Sequence, residues 1–354
     1  MFSSRAMLFK DTYIESFGYI LPPQVVTSLQ LEGELRPVYE RLRLCEGRLE
    51  LMSGIRERRF WEAGTMPSQV AALAGQDALK KADFPAEKVG CVINCSVSRD
   101  CVEPATSSAV HRLMGLGHNA MNFDISNACL GMATGVLMLA NMIELGQIEA
   151  GLAVAGENSG PLVRNTVERL NADMTLTRSA MKSQFASLTI GSCAVAALVV
   201  SGRLSRKRHR LIGAANYTDS SSDNLCRGDA NGGMTDGSAP LMDTDSQALL
   251  HAGIAAASEM WKRLKATTGW SESTPDTICT HQVGKAHSAL LFETLGIDKA
   301  KDFTTYETLG NCGSASWPVT CAMAAESGRL TNGSKLGVLC IGSGINCCGM
   351  AVEW

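Results

Sequence analysis

Short, solidly apolar runs alternate along this chain with segments of helical period. Val92–Val97 and Met121–Ser126 read as short strands. Gly151–Ala155 and Cys193–Val200 are unbroken apolar runs flanked by Gly or Ser, the pattern of strands buried on both faces. Thr106–Met114 has a helical pattern. From Leu130 to Leu145 apolar residues recur on nearly every face, with Gly146 following as a cap. A helix apolar all round is a central one, buried on all sides. Farther on, Ser246–Lys265 and Ala286–Leu295 read as helices and Thr277–Cys279 as the approach to a strand end. Lys335–Ile341 and Cys347–Val352 read as two strands around a Gly-rich turn. Such alternation implies a layered α/β protein. The basic break Arg203–Arg210 divides it into two halves, 1–202 and 203–354.

Composition narrows the function classes. The 354 residues are 45% hydrophobic and 19% charged, with a formal net charge of −3. That balance offers no electrostatic case for nucleic acid or an anionic membrane surface as a partner. The basic run is expected to be a solvated turn, and the Ser-, Asp- and Gly-rich segment Asn216–Asp245 a long irregular connection of the kind that carries function. No stretch reaches the ~18 uninterrupted apolar residues of a membrane span. The first twenty or so residues lack the apolar core of a signal peptide. Thirteen cysteines without a C-x-x-C pair point to free thiols in a reducing cytoplasm rather than to zinc or dithiol chemistry. Taken singly, each cysteine is most simply a small buried apolar residue.

Three segments carry chemistry. In MNFDISNACLGMATG (121–135), Cys129 stands where a strand passes into the central helix. The unpaired N–H groups of a helix start are expected to lower its thiol pKa and to hold a developing oxyanion. Its small neighbours Ala128, Gly131, Ala133 and Gly135 are expected to leave room beside the sulfur. In THQVGKAH (280–287), His281 leaves a strand end, where α/β proteins place ligand sites. His287 falls inside the following helix and reads as structural. In ETLGNCGSASWPV (307–319), Asn311 lies in a turn-rich loop ahead of a helix.

Together these segments resemble the thiolase-fold condensing enzymes of the 3-oxoacyl-ACP synthase III group. That group has a cysteine among small residues, then His-Gln, then Gly-Asn about thirty residues later. Cys129, His281-Gln282 and Gly310-Asn311 keep this order, with 30 residues from His281 to Asn311. GSGINCCG (342–349) matches the group's terminal Gly-rich loop and SGIRERR (53–59) its early basic motif. Within the group, SVSRDCVEPATS (96–107), NACLG (127–131), SLTIGS (187–192), LCRG (225–228) and HQV (281–283) look like the OleA type, which joins two fatty acyl-CoAs head to head. Ordinary members carry Asp-Gly-Ala-Gly where this chain has Ile190-Gly191-Ser192-Cys193, a departure the OleA type shares.

The resemblance implies a five-layer αβαβα fold of two similar halves and a ping-pong route on acyl-CoA or acyl-ACP. Cys129 would carry the acyl group, with the N–H groups of Cys129 and Ser343 as oxyanion hole. His281 and Asn311 would donate hydrogen bonds to the second thioester, and no metal or redox cofactor is called for. Direct deprotonation of an α-carbon needs a base. Glu103 is the candidate, reaching across a homodimer as the matching glutamate does in the OleA type. Its rival reading is a surface acid beside a helix start. Arg56, Arg58 and Arg59 are candidate phosphate- or carrier-facing residues. The tryptophan often found upstream of that motif is absent, Arg48–Met52 reading RLELM, which argues against adenine stacking; the nearby Trp61 suits packing equally well. Two other readings stay open: a decarboxylating synthase using malonyl-ACP, and a catalytically silent acyl-binding scaffold.

Overall fold

The computed structural model describes residues 6–228 and 242–354. Among these residues a mixed sheet of 11 strands runs through the molecule, and its order repeats one plan twice. The first half contains, in chain order, Thr12–Ile20, Cys91–Asn94, Met121–Asp124, Ala150–Glu157 and Cys193–Ser201. Across the sheet they lie third, second, fourth, fifth, first. The second half repeats that order with Arg210–Thr218, Thr277–Thr280, Asp302–Phe303, Lys335–Gly342 and Asn346–Glu353. In each half the second strand runs parallel to the third and fourth, while the fifth is antiparallel to the fourth and first. The halves join where Tyr13 pairs with Arg210, and Met7–Leu8 adds a short strand beside Arg210–Thr218.

The apolar runs resolve into two faces. Along Cys193–Ser201, Cys193, Val195, Ala197 and Val199 face the central core, while Ala194, Ala196, Leu198 and Val200 face outward under helices Pro67–Lys81 and Thr106–Met114. In the second half, Val338 and Cys340 face the centre, and Leu339 and Ile341 face helices Ser246–Thr268 and Lys285–Leu295. Between the two halves of the sheet lie helices Gly131–Glu144 and Ser316–Glu326. That gives the expected five layers. Both sheet faces are covered, so the strands read as unbroken apolar runs. Each Leu or Val sealed this way contributes about 2 kcal/mol. Nine of the 13 cysteines are buried, so the bland reading holds for most of them.

Two long strands, among several short ones, escape the sequence pattern. Thr12–Ile20 has no clean alternation because its register shifts between Ile14 and Ser16, where Glu15 is buried. The region taken as irregular from Asn216 onward begins as the end of a strand that runs to Thr218. It also holds the paired strands Cys226–Gly228 and Met242–Thr244, and residues 229–241 lie outside the described residues. The basic break is a turn wrapped on the Glu15 carboxylate, which accepts the N–H groups of Arg206 and Lys207 and the Ser205 hydroxyl. Its cations are spent locally: Arg203 on Glu149, Arg206 on Asp83, and Arg208 over the Tyr13 ring. No described helix is long and apolar enough to cross a membrane.

Candidate active site

Cys129 sits in a tight turn, Ala128–Leu130, between strand Met121–Asp124 and helix Gly131–Glu144. Ala128 enters it at φ 44°, a left-handed conformation that L-residues seldom adopt. The small residues after it serve a purpose other than the one expected. A side chain at Gly131 would lie 2.0 Å from the Cys95 carbonyl oxygen, so this glycine seats the helix against Cys95 instead of opening space at the sulfur. On the other side comes Gly342, where a Cβ would stand 2.7 Å from Leu130 Cδ1 and 3.4 Å from the Cys129 nitrogen. The Gly-rich turn bearing Ser343 is therefore pressed directly on the cysteine's backbone. Asn346 donates from Nδ2 to Asn127 Oδ1 at 3.3 Å, tying the same two segments.

The thiol is not activated by this position. Cys129 is partly exposed as a residue, yet burial around its sulfur pushes the pKa up to about 12, with the negative charge of Glu157 and the neighbouring Cys226 adding to the rise. The expected lowering by the helix start is overcome by desolvation. The thiol is protonated at neutral pH.

His281 follows strand Thr277–Thr280 and is buried, its N–H held by the Leu339 carbonyl at 2.9 Å. Burial lowers its pKa to about 3; His287 acts in the same direction, and the Gly313 carbonyl facing the ring opposes both. The imidazole is therefore neutral, and its Nδ1 is enclosed without a hydrogen-bonding partner among the described residues. Asn311 is placed from its other side. Its backbone N–H donates to the Thr189 carbonyl at 3.0 Å, its carbonyl accepts from Gly191 N at 2.9 Å, and its Oδ1 accepts from Gly313 N at 3.0 Å. With Oδ1 engaged, the amide NH2 is the end left to donate. Gly313 thus meets both side chains, and the turn it opens, Gly313–Ala315, packs against the Cys129 turn. Gln282 fixes the spacing: its Nε2 donates to Thr280 and its Oε1 accepts the N–H groups of Thr305 and Tyr306, just ahead of Asn311.

The other candidates fall outside this cluster. Glu103 is exposed, in a loop that ends where Asp124 caps helix Thr106–Met114 by accepting the N–H groups of Thr106 and Ser107. The basic motif is corrected by strand periodicity. Arg58, on strand Glu57–Phe60, points inward, fully buried, donating to the Ser28 hydroxyl and the Leu188 carbonyl, with its pKa lowered to about 10 by desolvation. It ties Ser28 to Leu188 and is closed off from the surface. Arg59 is partly buried and donates to the Pro22 carbonyl; Arg56 is exposed. Trp61 is packing, its Nε1 donating to the Glu157 carbonyl.

Comparison with known proteins decides the family. Residues 265–354 match the family described as 3-oxoacyl-[acyl-carrier-protein] synthase III C terminal, and residues 53–201 match the thiolase N-terminal domain. The acyl-CoA:acyl-CoA alkyltransferase of Shewanella oneidensis is 36% identical over 351 residues, covering 98% of this chain and 100% of that protein. The chain belongs to the OleA family of thiolase-fold condensing enzymes. Among solved structures, Xanthomonas campestris OleA bound to cerulenin superposes with a TM-score of 0.93 at 34% identity, covering 98% of both chains. A cysteine-to-serine variant of the same protein with lauric acid and lauroyl-CoA gives 0.92 at 33% identity, covering 98% of this chain and 100% of that one. The Ile190–Cys193 segment, noted above as a departure shared with OleA, holds Asn311 here. A side chain at Gly191 would lie 1.9 Å from the Leu309 carbonyl oxygen, and Ser192 Oγ accepts from Ser159 N at 2.9 Å.

One residue escaped the sequence reading altogether. Glu157 closes the otherwise apolar strand Ala150–Glu157 and is buried beside the Gly313–Ala315 turn. The available signal was a lone charge at the end of a strand buried on both faces, where an unpaired carboxylate is costly.

Proposed function

We propose that this enzyme condenses two fatty acyl-CoA molecules head to head, without decarboxylation, through an acyl group on Cys129. The Cys129 sulfur attacks the first thioester carbonyl, its proton leaves with coenzyme A, and the oxyanion is held by the N–H groups of Cys129 and Ser343. The second acyl-CoA places its carbonyl against the Asn311 amide and the neutral His281 ring, which stabilise the enolate as it forms. The α-proton goes to the partner subunit's Glu103. The α-carbon then attacks the acyl carbonyl, the C–S bond to Cys129 breaks, and the released thiolate regains a proton as the partner's Glu103 gives one up. The products are a β-ketoacyl-CoA and free coenzyme A, so the route consumes only thioesters and calls for no further cofactor.

The observation that carries this reading is that Asn311, held through Oδ1 by the Gly313 N–H, keeps its NH2 end for a substrate carbonyl, while the turn Gly313 opens packs on the nucleophile's turn and the His281 ring faces the same glycine. A neutral histidine suits this role, because a donor to an enolate need not lose a full proton. A homodimer is supported by the sheet edge: among the described residues Met121–Asp124 has no strand beyond it, Met121 is exposed there, and Val97 and Val102 are exposed in the loop that carries Glu103. Arg56 stands at the surface of the motif and is assigned to coenzyme A phosphate. We assign the chain to the cytoplasm and its two halves to residues 1–202 and 203–354.

Peptide-level mass spectrometry after mixing with a fatty acyl-CoA tests the reading. It calls for an acyl adduct on Cys129, retained and accumulating in Glu103→Ala, which acylates but does not condense. Normal turnover in that variant would remove Glu103 from the reaction.

A further inference from the structure

The two halves place equivalent residues in unequal roles. In the first half the turn Ala128–Leu130 precedes the central helix; in the second, Gly313–Ala315 precedes its counterpart Ser316–Glu326. Both turns begin in the left-handed region, Ala128 at φ 44° and Gly313 at φ 55°. Ser314 thus occupies the place of Cys129. Each turn is met by the last residue of the other half's fourth strand. Gly342 meets Cys129, and Glu157 meets Ser314.

Glu157 accepts four hydrogen bonds. Its Oε1 takes the Ser314 hydroxyl at 2.6 Å, the Ser314 N–H at 3.1 Å and the Val97 N–H at 3.0 Å, while Oε2 takes the Ser98 N–H at 3.1 Å. A side chain on Gly313 would sit 3.1 Å from Oε1. One carboxylate therefore joins two loops of different purpose. Gly313–Ser314 orients Asn311 and His281, and Val97–Ser98 begins the loop that presents Glu103. Neither bonded loop contains Cys129 or Ser343.

We propose that Glu157 is a positioning residue for the second half-reaction, clamping the enolate-stabilising turn to the base-bearing loop while leaving acylation of Cys129 to the opposite side of the site. This rests on the function proposed above. The clamp has a cost in the first half-reaction, because its charge adds to the rise that burial imposes on the thiol pKa. Cys95 and Cys193 feel the same charge, and Cys226 is the other titratable neighbour of Cys129.

The test is Glu157→Gln, which keeps size but replaces one acceptor oxygen with a donor facing backbone N–H groups. Single-turnover acylation by acyl-CoA should stay within a few-fold of wild type, while condensation falls roughly tenfold to a hundredfold, the loss expected when reacting groups shift by about an ångström. Alkylation of Cys129 by iodoacetamide, read on its own peptide, should move to lower pH. Ser314→Ala, which removes only the hydroxyl bond, should show the same split in weaker form and keeps the idea testable should the glutamine variant fold poorly. Acylation and condensation falling together, with an unmoved alkylation profile, would overturn the assignment. If wild-type protein gains no acyl adduct, the proposed function fails instead, and the alkylation profiles still decide whether Glu157 governs the thiol.

Discussion

The turns at Cys129 and Ser314 are built alike, precede equivalent central helices and are met by equivalent strand ends, yet one faces a bare glycine and the other a carboxylate. Where Gly342 offers no side chain, backbone N–H groups beside a thiol are left for a substrate. Where Glu157 fills that place, the N–H and hydroxyl of Ser314 are consumed internally. The difference teaches that a helix-start turn is not by itself a catalytic device. Burial raises the Cys129 thiol to about pKa 12, so position alone does not make the nucleophile. The reactive side is the one kept empty by a glycine.

The largest test exchanges the two turns. Cys129→Ala should lower condensation by roughly a thousandfold or more and abolish the acyl adduct. Adding Ser314→Cys to that variant should restore neither, since Glu157 occupies the acceptor side of the second turn; an adduct on the new thiol would break the comparison. Next in size is Gly342→Ala, whose methyl group must displace Leu130 at 2.7 Å. Acylation should drop roughly tenfold to a hundredfold, measured as the single-turnover rate, with the melting temperature changed far less.

Much of this was legible in the sequence. Cys129, His281 and Asn311 stand out only together, by their order, their spacing and the resemblance these carry; singly each suits a structural role. The central helix shows itself by being apolar all round. Arg58 was misread because a four-residue strand alternates its faces, sending Arg58 inward and leaving its neighbours nearer the surface, and three arginines in a row of four positions hide that period. Glu157 was missed because its importance lies in partners from loops 60 and 157 residues away. No local pattern encodes such distances. The strand Thr12–Ile20 was hidden by its register shift beside Glu15.

The arginines provide a smaller test. Arg58→Ala should lower stability by about 2 kcal/mol, read by urea unfolding, because the Ser28 hydroxyl and Leu188 carbonyl lose their donor. Arg56→Ala should leave stability unchanged and raise KM for acyl-CoA a few-fold. A further prediction concerns acid stability. His209, His281 and His287 are buried with pKa values lowered from 6.5 to about 4, 3 and 4. Below pH 6.5 the unfolded chain takes up protons that the folded one refuses, so stability falls as pH drops toward 4 and is steady above 7. The melting temperature measured across that range should follow this course.

The central claim is that two acyl-CoA molecules suffice. Purified protein incubated with a single fatty acyl-CoA and no malonyl donor should release coenzyme A and form a β-keto product carrying both acyl chains, identified by mass spectrometry. Formation of product only when malonyl thioester is supplied would contradict it.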